Sequence, residues 1–252
     1  MTLLEVNNLS VRRRDREVLR DVSFSMEGGE FIGLIGPNGA GKTTLMRAAL
    51  GLLDHAGQST LAALSRQDRA KVVAWMPQAR EIAWPVTVET VVMLGRIPHL
   101  SSVQQAGEED HRAVEAALAE MDLQHLRHRA ATHLSGGEQA RVLIARALAQ
   151  ETALIMADEP IAGLDPAHQI TTMQTFVKLA ASGISSLVSL HDLGLAVRHC
   201  TRLILLSEGR LVADGRPEDV LTAARLADVF GITAWYQSTD QGPVYQSLEV
   251  IR

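Results

Sequence analysis

The 252-residue chain holds a single cysteine, Cys200. One thiol cannot close an internal disulfide or build a thiolate metal cluster, which suits the cytoplasm. Aromatic residues are scarce, at 4%. No basic excess exists either: 24 Lys and Arg stand against 29 Asp and Glu, a net charge of −5, so composition gives no reason to expect a nucleic-acid partner. The one basic cluster, Arg12-Arg13-Arg14 with Arg16, is interrupted by Asp15 and reads as a solvated hairpin. Long apolar runs are missing. Those near residues 153–157 and 203–206 are far too short to span a bilayer, and Met1-Thr2-Leu3-Leu4-Glu5 lacks the basic region and apolar core of a signal peptide. Any membrane role is therefore expected to come through a partner.

What is present is an ordinary globular composition, 46% hydrophobic and 21% charged, with ample material for a core. Residues 2–11 and 18–26 read as strands joined by a charged turn, and residues 54–60 break the pattern. A polar, helix-like segment over 66–71 leads into a buried strand over 72–76. Helical periodicity follows over 87–95, 108–121 and 138–149. Strands are expected over 153–157, 186–190 and 202–206, with helices over 166–181 and 193–199 between them, and 211–213 as a hairpin partner of the last. The tail is read as helical within 217–230, with a final strand near 244–248. This alternation predicts an α/β fold with a mostly parallel sheet covered by helices, interrupted by a helical insertion at about 79–150.

The most informative stretch is Gly36-Pro37-Asn38-Gly39-Ala40-Gly41-Lys42-Thr43-Thr44. It follows the apolar run Phe31-Ile32-Gly33-Leu34-Ile35 and enters a helix-like segment. That is the strand, turn and helix context of a P-loop, G-x-x-x-x-G-K-[ST]. Glycines let backbone N–H groups wrap phosphate oxygens, and the helix N-terminus adds partial positive charge. Lys42 is expected to reach the β- and γ-phosphates, and Thr43 to hold Mg²⁺.

Such a loop needs acidic partners for the metal and the attacking water. Leu154-Ile155-Met156-Ala157-Asp158-Glu159 supplies two carboxylates at the end of an apolar strand, where open α/β sheets bind ligands. Asp158 is placed to contact the metal, and Glu159 to orient or deprotonate water. Leu134-Ser135-Gly136-Gly137-Glu138-Gln139 precedes a strongly helical run. Ser135 with Glu138 three residues later forms a capping box, and the same helix start is an anion site.

Taken together, these motifs resemble the ATP-binding cassette (ABC) ATPases over nearly the whole chain. The family's LSGGEQ signature stands in full at Leu134 to Gln139. The resemblance implies the P-loop ABC ATPase fold as one domain over 1–252, with an N-terminal antiparallel β subdomain. It also implies a two-fold homodimer in which Ser135, Gly136, Gly137 and Glu138 of one copy grip the γ-phosphate held by the other. Gln78 matches the Q-loop glutamine that senses Mg²⁺ and the transporter. Ala162-Gly163-Leu164-Asp165 looks like the D-loop, and His191 matches the switch histidine. Alignment on Val18-Leu19 puts Arg13 where an adenine-stacking aromatic is usual, and a guanidinium can stack on a base. The segment from 54 to 64 looks short, as though one strand of the antiparallel subdomain were trimmed. No N-K-x-D is present, so a guanine-specific GTPase is not supported. His125, His128 and His133 have no carboxylate or thiol at metal spacing and read as solvated.

Val92-Met93-Leu94-Gly95-Arg96-Ile97-Pro98-His99 and Asp228-Val229-Phe230-Gly231-Ile232 are similar to ATPase subunits of importers for ferric siderophores, haem or cobalamin. That likeness implies transmembrane permease subunits docking near Ala79 to Leu100. Trp84, Pro85 and Val86 form an apolar patch there, although Trp84 also fits as helical core. It further implies a periplasmic or lipoprotein substrate-binding protein, and a peripheral position on the cytoplasmic face of the inner membrane. An exporter's ATPase subunit, or a soluble non-transport ABC protein, stays open as an alternative.

Overall fold

Leu4 and Val6 are buried, and so are Leu9 and Val11, but two exposed asparagines separate the pairs. Strict alternation would have turned Leu9 to solvent. A bulge between Val6 and Leu9, with Asn8 at φ 50°, re-phases the strand and returns its apolar face to the core. A computed structural model describes residues 2–14, 16–78, 82, 84–100, 105–240 and 242–251.

In chain order, β1 (Thr2–Arg13), β2 (Arg16–Glu27), β3 (Phe31–Ile35), α1 (Lys42–Ala49) and β4 (Ala56–Ser59) come first. Next are α2 (Arg66–Val72), β5 (Val73–Met76), α3 (Val88–Met93), α4 (Glu108–Glu120), α5 (Gly136–Ala149) and β6 (Leu154–Asp158). The chain continues with α6 (Pro166–Ala181), β7 (Ser185–Ser189), α7 (Leu193–His199), β8 (Arg202–Ser207) and β9 (Arg210–Gly215). Short helical turns over 217–230 lead to β10 (Ile232–Thr239) and β11 (Gly242–Val250).

Two compact units result: residues 1–64 with 173–252, and residues 65–172. In the first, β1 pairs antiparallel with β2 and β4. The fully buried β3 lies parallel between β7 and β8, and β9 closes antiparallel on β8. A strand covered on both faces reads as an unbroken apolar run, as Phe31 to Ile35 does. Phe31 meets Phe176 of α6 with ring centroids 5.5 Å apart. Between β8 and β9, Glu208 (φ 48°) and Gly209 (φ 76°) make a two-residue turn with both central residues left-handed.

The second unit contains the helices expected within 79–150, together with β5 and β6 as a parallel pair. Its largest fully buried side chain is Arg96, which donates to Asp110 Oδ1 and Ala149 O, both at 2.8 Å, and to Glu151 Oε2 at 2.5 Å.

Two strands differ from expectation. Residues 56–59, read as a break, form β4, so the antiparallel sheet has three strands. The tail strand near 244–248 is longer and has a partner, β10, whose Trp235 and Tyr236 favour a pleated surface.

Candidate nucleotide site

In the first unit, β3 delivers the chain into the glycine loop. Gly36 takes φ 148°, and a Cβ there would overlap the carbonyl oxygen of Leu206 on β8, so the turn out of the strand requires glycine. Gly39, at φ 80°, has nothing within 4 Å of where a side chain would begin. The loop is closed beneath by strand and open above. Pro37 is half-buried, Asn38 exposed and Ala40 buried.

Gly41 is the N-cap of α1, with no side-chain hydrogen bond and no acidic residue in the first turn. The helix start therefore keeps its partial positive charge. Lys42, only 7% exposed, folds its ammonium back over the loop to donate to Gly36 O at 2.8 Å and Pro37 O at 3.2 Å. Thr43 and Thr44 follow, both half-buried. Uncapped helix start, bare glycine and enclosed ammonium together fit a polyphosphate.

A recess of about 260 Å³ beside Gly39 is lined by Arg16, Glu17, Val18, Arg20 and Glu208. Arg13 is not among the lining residues; it is exposed and pairs across the hairpin with Arg16, which is. His191 is exposed just past β7, and Asp192 next to it caps α7 by accepting from Leu195 N at 2.8 Å.

In the second unit, β6 is buried along its length and presents Asp158, 2% exposed, at its carboxyl end. Glu159 follows with φ 50° and is half-buried. Gln78, just past β5, donates its side-chain amide to Glu159 Oε2 at 2.8 Å. Parallel pairing of β5 with β6 brings these two residues to one sheet edge.

The capping box at α5 is complete. Ser135 Oγ accepts from Glu138 N at 3.3 Å, and Glu138 Oε2 accepts from Ser135 N at 2.7 Å. The Ser135 N–H, and then its hydroxyl, hold the Glu138 carboxyl below the usual carboxylate range. Asp165 accepts from His168 N at 3.0 Å and pairs with His168 Nδ1 at 2.5 Å. The backbone bond first and the imidazole second depress its carboxyl.

Sequence reasoning passed over Arg16 and His168. Arg16 is marked only by hairpin register, and His168 only by its three-residue spacing from Asp165. His125, His128 and His133 are exposed. Among the described residues, no group of three or more His, Cys, Asp or Glu could hold a metal ion, and no helix is long and apolar enough to cross a membrane.

The family model described as ABC transporter matches residues 19–162. The chain belongs to the ABC transporter family. It is an ATP-binding, ATP-hydrolysing subunit of that family, with the family's mixed sheet, antiparallel N-terminal sheet and helices. It is 43% identical over 246 residues to the hemin import ATP-binding protein HmuV of Pseudomonas entomophila (strain L48), covering 93% of this chain and 95% of that one. A solved metal-chelate type ABC transporter in an inward-facing conformation aligns with TM-score 0.87 and 25% identity, over 99% of this chain and 98% of its own. The bacterial ABC transporter cassette MJ0796, solved as a dimer, aligns with TM-score 0.73 and 25% identity, over 85% and 99%.

Proposed function

We propose that two copies of this ABC ATPase subunit bind Mg-ATP face to face and drive a permease that imports hemin or a closely related metal chelate. The observation that carries the nucleotide reading is the glycine loop, open above Gly39, with the Lys42 ammonium folded back onto the carbonyls of Gly36 and Pro37. Gly36, Pro37, Asn38, Gly39, Ala40 and Gly41 would direct backbone N–H groups at the β- and γ-phosphates, and Lys42 would neutralise them. Thr43, Asp158 and Gln78 are the residues that would hold Mg²⁺, which would supply positive charge to neutralise the transferred phosphoryl group. Glu159 takes the proton of the attacking water, and His191 donates a hydrogen bond to the transferred phosphoryl group.

The second unit's helix cap supports dimerisation. Ser135 and Gly136 are exposed, and Gly136 has open space where a Cβ would start. This cap is free to face the phosphates held by another copy, an isologous arrangement, and the dimeric cassette it resembles supports that assembly.

The permease would dock near Ala79 to Leu100. Trp84 is 75% exposed and Ile97 59%, too exposed for either to be helical core and available to an apolar partner. Ala79, Arg80, Glu81 and Ala83 lie outside the described residues. A substrate-binding protein completes the importer, and the subunit sits on the cytoplasmic face of the membrane. Hemin is favoured by the 43% identity to a hemin import subunit.

Purification from membranes in mild detergent tests this reading. Recovery with an integral membrane partner, and hemin-dependent ATPase activity once a binding protein is added, is the expected result. A ribosome- or DNA-bound species would overturn it.

A further inference from the structure

The two glycines of the Ser135-Gly136-Gly137 cap are not equivalent. Gly136 is exposed and faces open space, whereas Gly137 is buried, and a Cβ there would overlap the imidazole of His168 at Cδ2, Cγ and Nε2. One edge of that ring lies on the start of α5. Its opposite edge, Nδ1, pairs with Asp165 Oδ2 at 2.5 Å, and the His168 backbone N–H donates to Asp165 Oδ1 at 3.0 Å. The ring thus bridges the helix cap and the Asp165 carboxylate. Neither the P-loop motif nor the capping box accounts for it.

We infer that His168 is a positioning residue that yokes the Gly136-Gly137 cap of α5 to Asp165, so that the two move as one body. The second glycine is required by this ring, while the first is left open for the ligand. The inference rests on the proposed two-copy ATPase, because yoking matters to turnover only if the cap meets nucleotide. A yoke acts on the geometry of the closed state and not on the P-loop's own grip. Its loss should lower kcat and leave nucleotide affinity in place.

Three variants separate the two halves of the bridge. His168→Ala removes both. His168→Asn keeps a donor near Nδ1 and loses the ring edge, and His168→Phe keeps the ring and loses the donor. The expected result is a fall in kcat of about 10- to 100-fold in all three, the scale of a small misplacement at a reacting centre, with ATP affinity and Tm close to wild type. Amide exchange without nucleotide gives a readout independent of turnover. Exchange at Gly137–Glu138 and at Ala167–His168 should rise together in each variant.

Wild-type kcat in either His168→Asn or His168→Phe would overturn the yoke, since half the bridge would then suffice. So would parallel losses of Tm and ATP affinity, which would make His168 a stability element. If wild-type protein hydrolyses no ATP, the ATPase reading fails. The exchange measurement still decides the yoke: exchange rising at one segment alone sinks it.

Discussion

Gln78 Nε2 donates to Glu159 Oε2 at 2.8 Å across 81 positions of sequence. The bond joins the two residues that follow the paired strands β5 and β6. The neutral amide orients the carboxylate for the role of base proposed for Glu159. Glu159→Gln can keep a hydrogen bond to Gln78 by turning its amide, but it has no proton-accepting charge. Steady-state turnover is expected to fall by about 10²- to 10⁴-fold, while ATP affinity holds and the ATP-bound dimer persists on a sizing column. Wild-type turnover in this variant would remove Glu159 from the role of base.

Arg16, more than Arg13, is expected to carry the base-binding side of the loop. Arg16 lines the recess with Val18 and Gly39, and Arg13 does not. The two stand directly opposite each other on β1 and β2, where like charges repel, so an electron-rich ring beside them is welcome. A guanidinium over a ring contributes about 0.5–2 kcal/mol. Arg16→Ala should therefore weaken ATP binding by about 2- to 30-fold, and Arg13→Ala by less than Arg16→Ala. Titration with a fluorescent nucleotide checks this. The reverse order would return the contact to Arg13.

Local chemistry was legible in the sequence, and long-range register was not. The loop from Gly36 to Thr44 and the cap from Ser135 to Glu138 are each contiguous, and the backbone of one turn realises them directly. The apolar run ending at Asp158 could be placed for the same reason. Arg16 was missed because bulges along β1 and β2 decide which arginine faces the loop, and bulges leave little trace in composition. In the bridge from Asp165 through His168 to Gly137, the first step is local, but the second joins residues brought near only by packing of α5 beside the start of α6. β10 went unread because its alternation is shallow: most of its residues are exposed.

The helical unit depends on a buried ion pair with a definite pH signature. Arg96 is 2% exposed and donates to Asp110, whose carboxyl is held below the usual range by that bond first and by the Gly107 N–H second. A depressed carboxylate stabilises the fold above its unfolded pKa, about 3.9. That contribution is lost as pH falls from there through the lower folded value. Arg96→Met strands the Asp110 charge and is expected to cost about 3–5 kcal/mol near pH 7. Urea melts of both proteins should show the gap narrowing below about pH 4. A gap independent of pH would mean that packing, not the charge pair, sets the cost.

Cys200, the only cysteine, makes thiol labelling a reporter of the first unit. Its side chain is 6% exposed, burial pushes its pKa well above the usual thiol value, and its sulfur lies against Gly33 on β3. Because the thiolate is the reactive form, labelling of the native protein requires opening of the packing between β3 and the end of α7. Gly33 lies three residues before the phosphate loop, so nucleotide held by that loop should oppose the opening. At an ATP concentration 100 times Kd the added stability is about 2.7 kcal/mol, which slows labelling roughly 100-fold when opening limits the rate through its equilibrium. Lys42→Ala, which removes the ammonium over the loop, should abolish most of that protection and leave the nucleotide-free rate near wild type. Rapid labelling of the folded protein, or a rate indifferent to ATP, would show that the strand and the loop open independently.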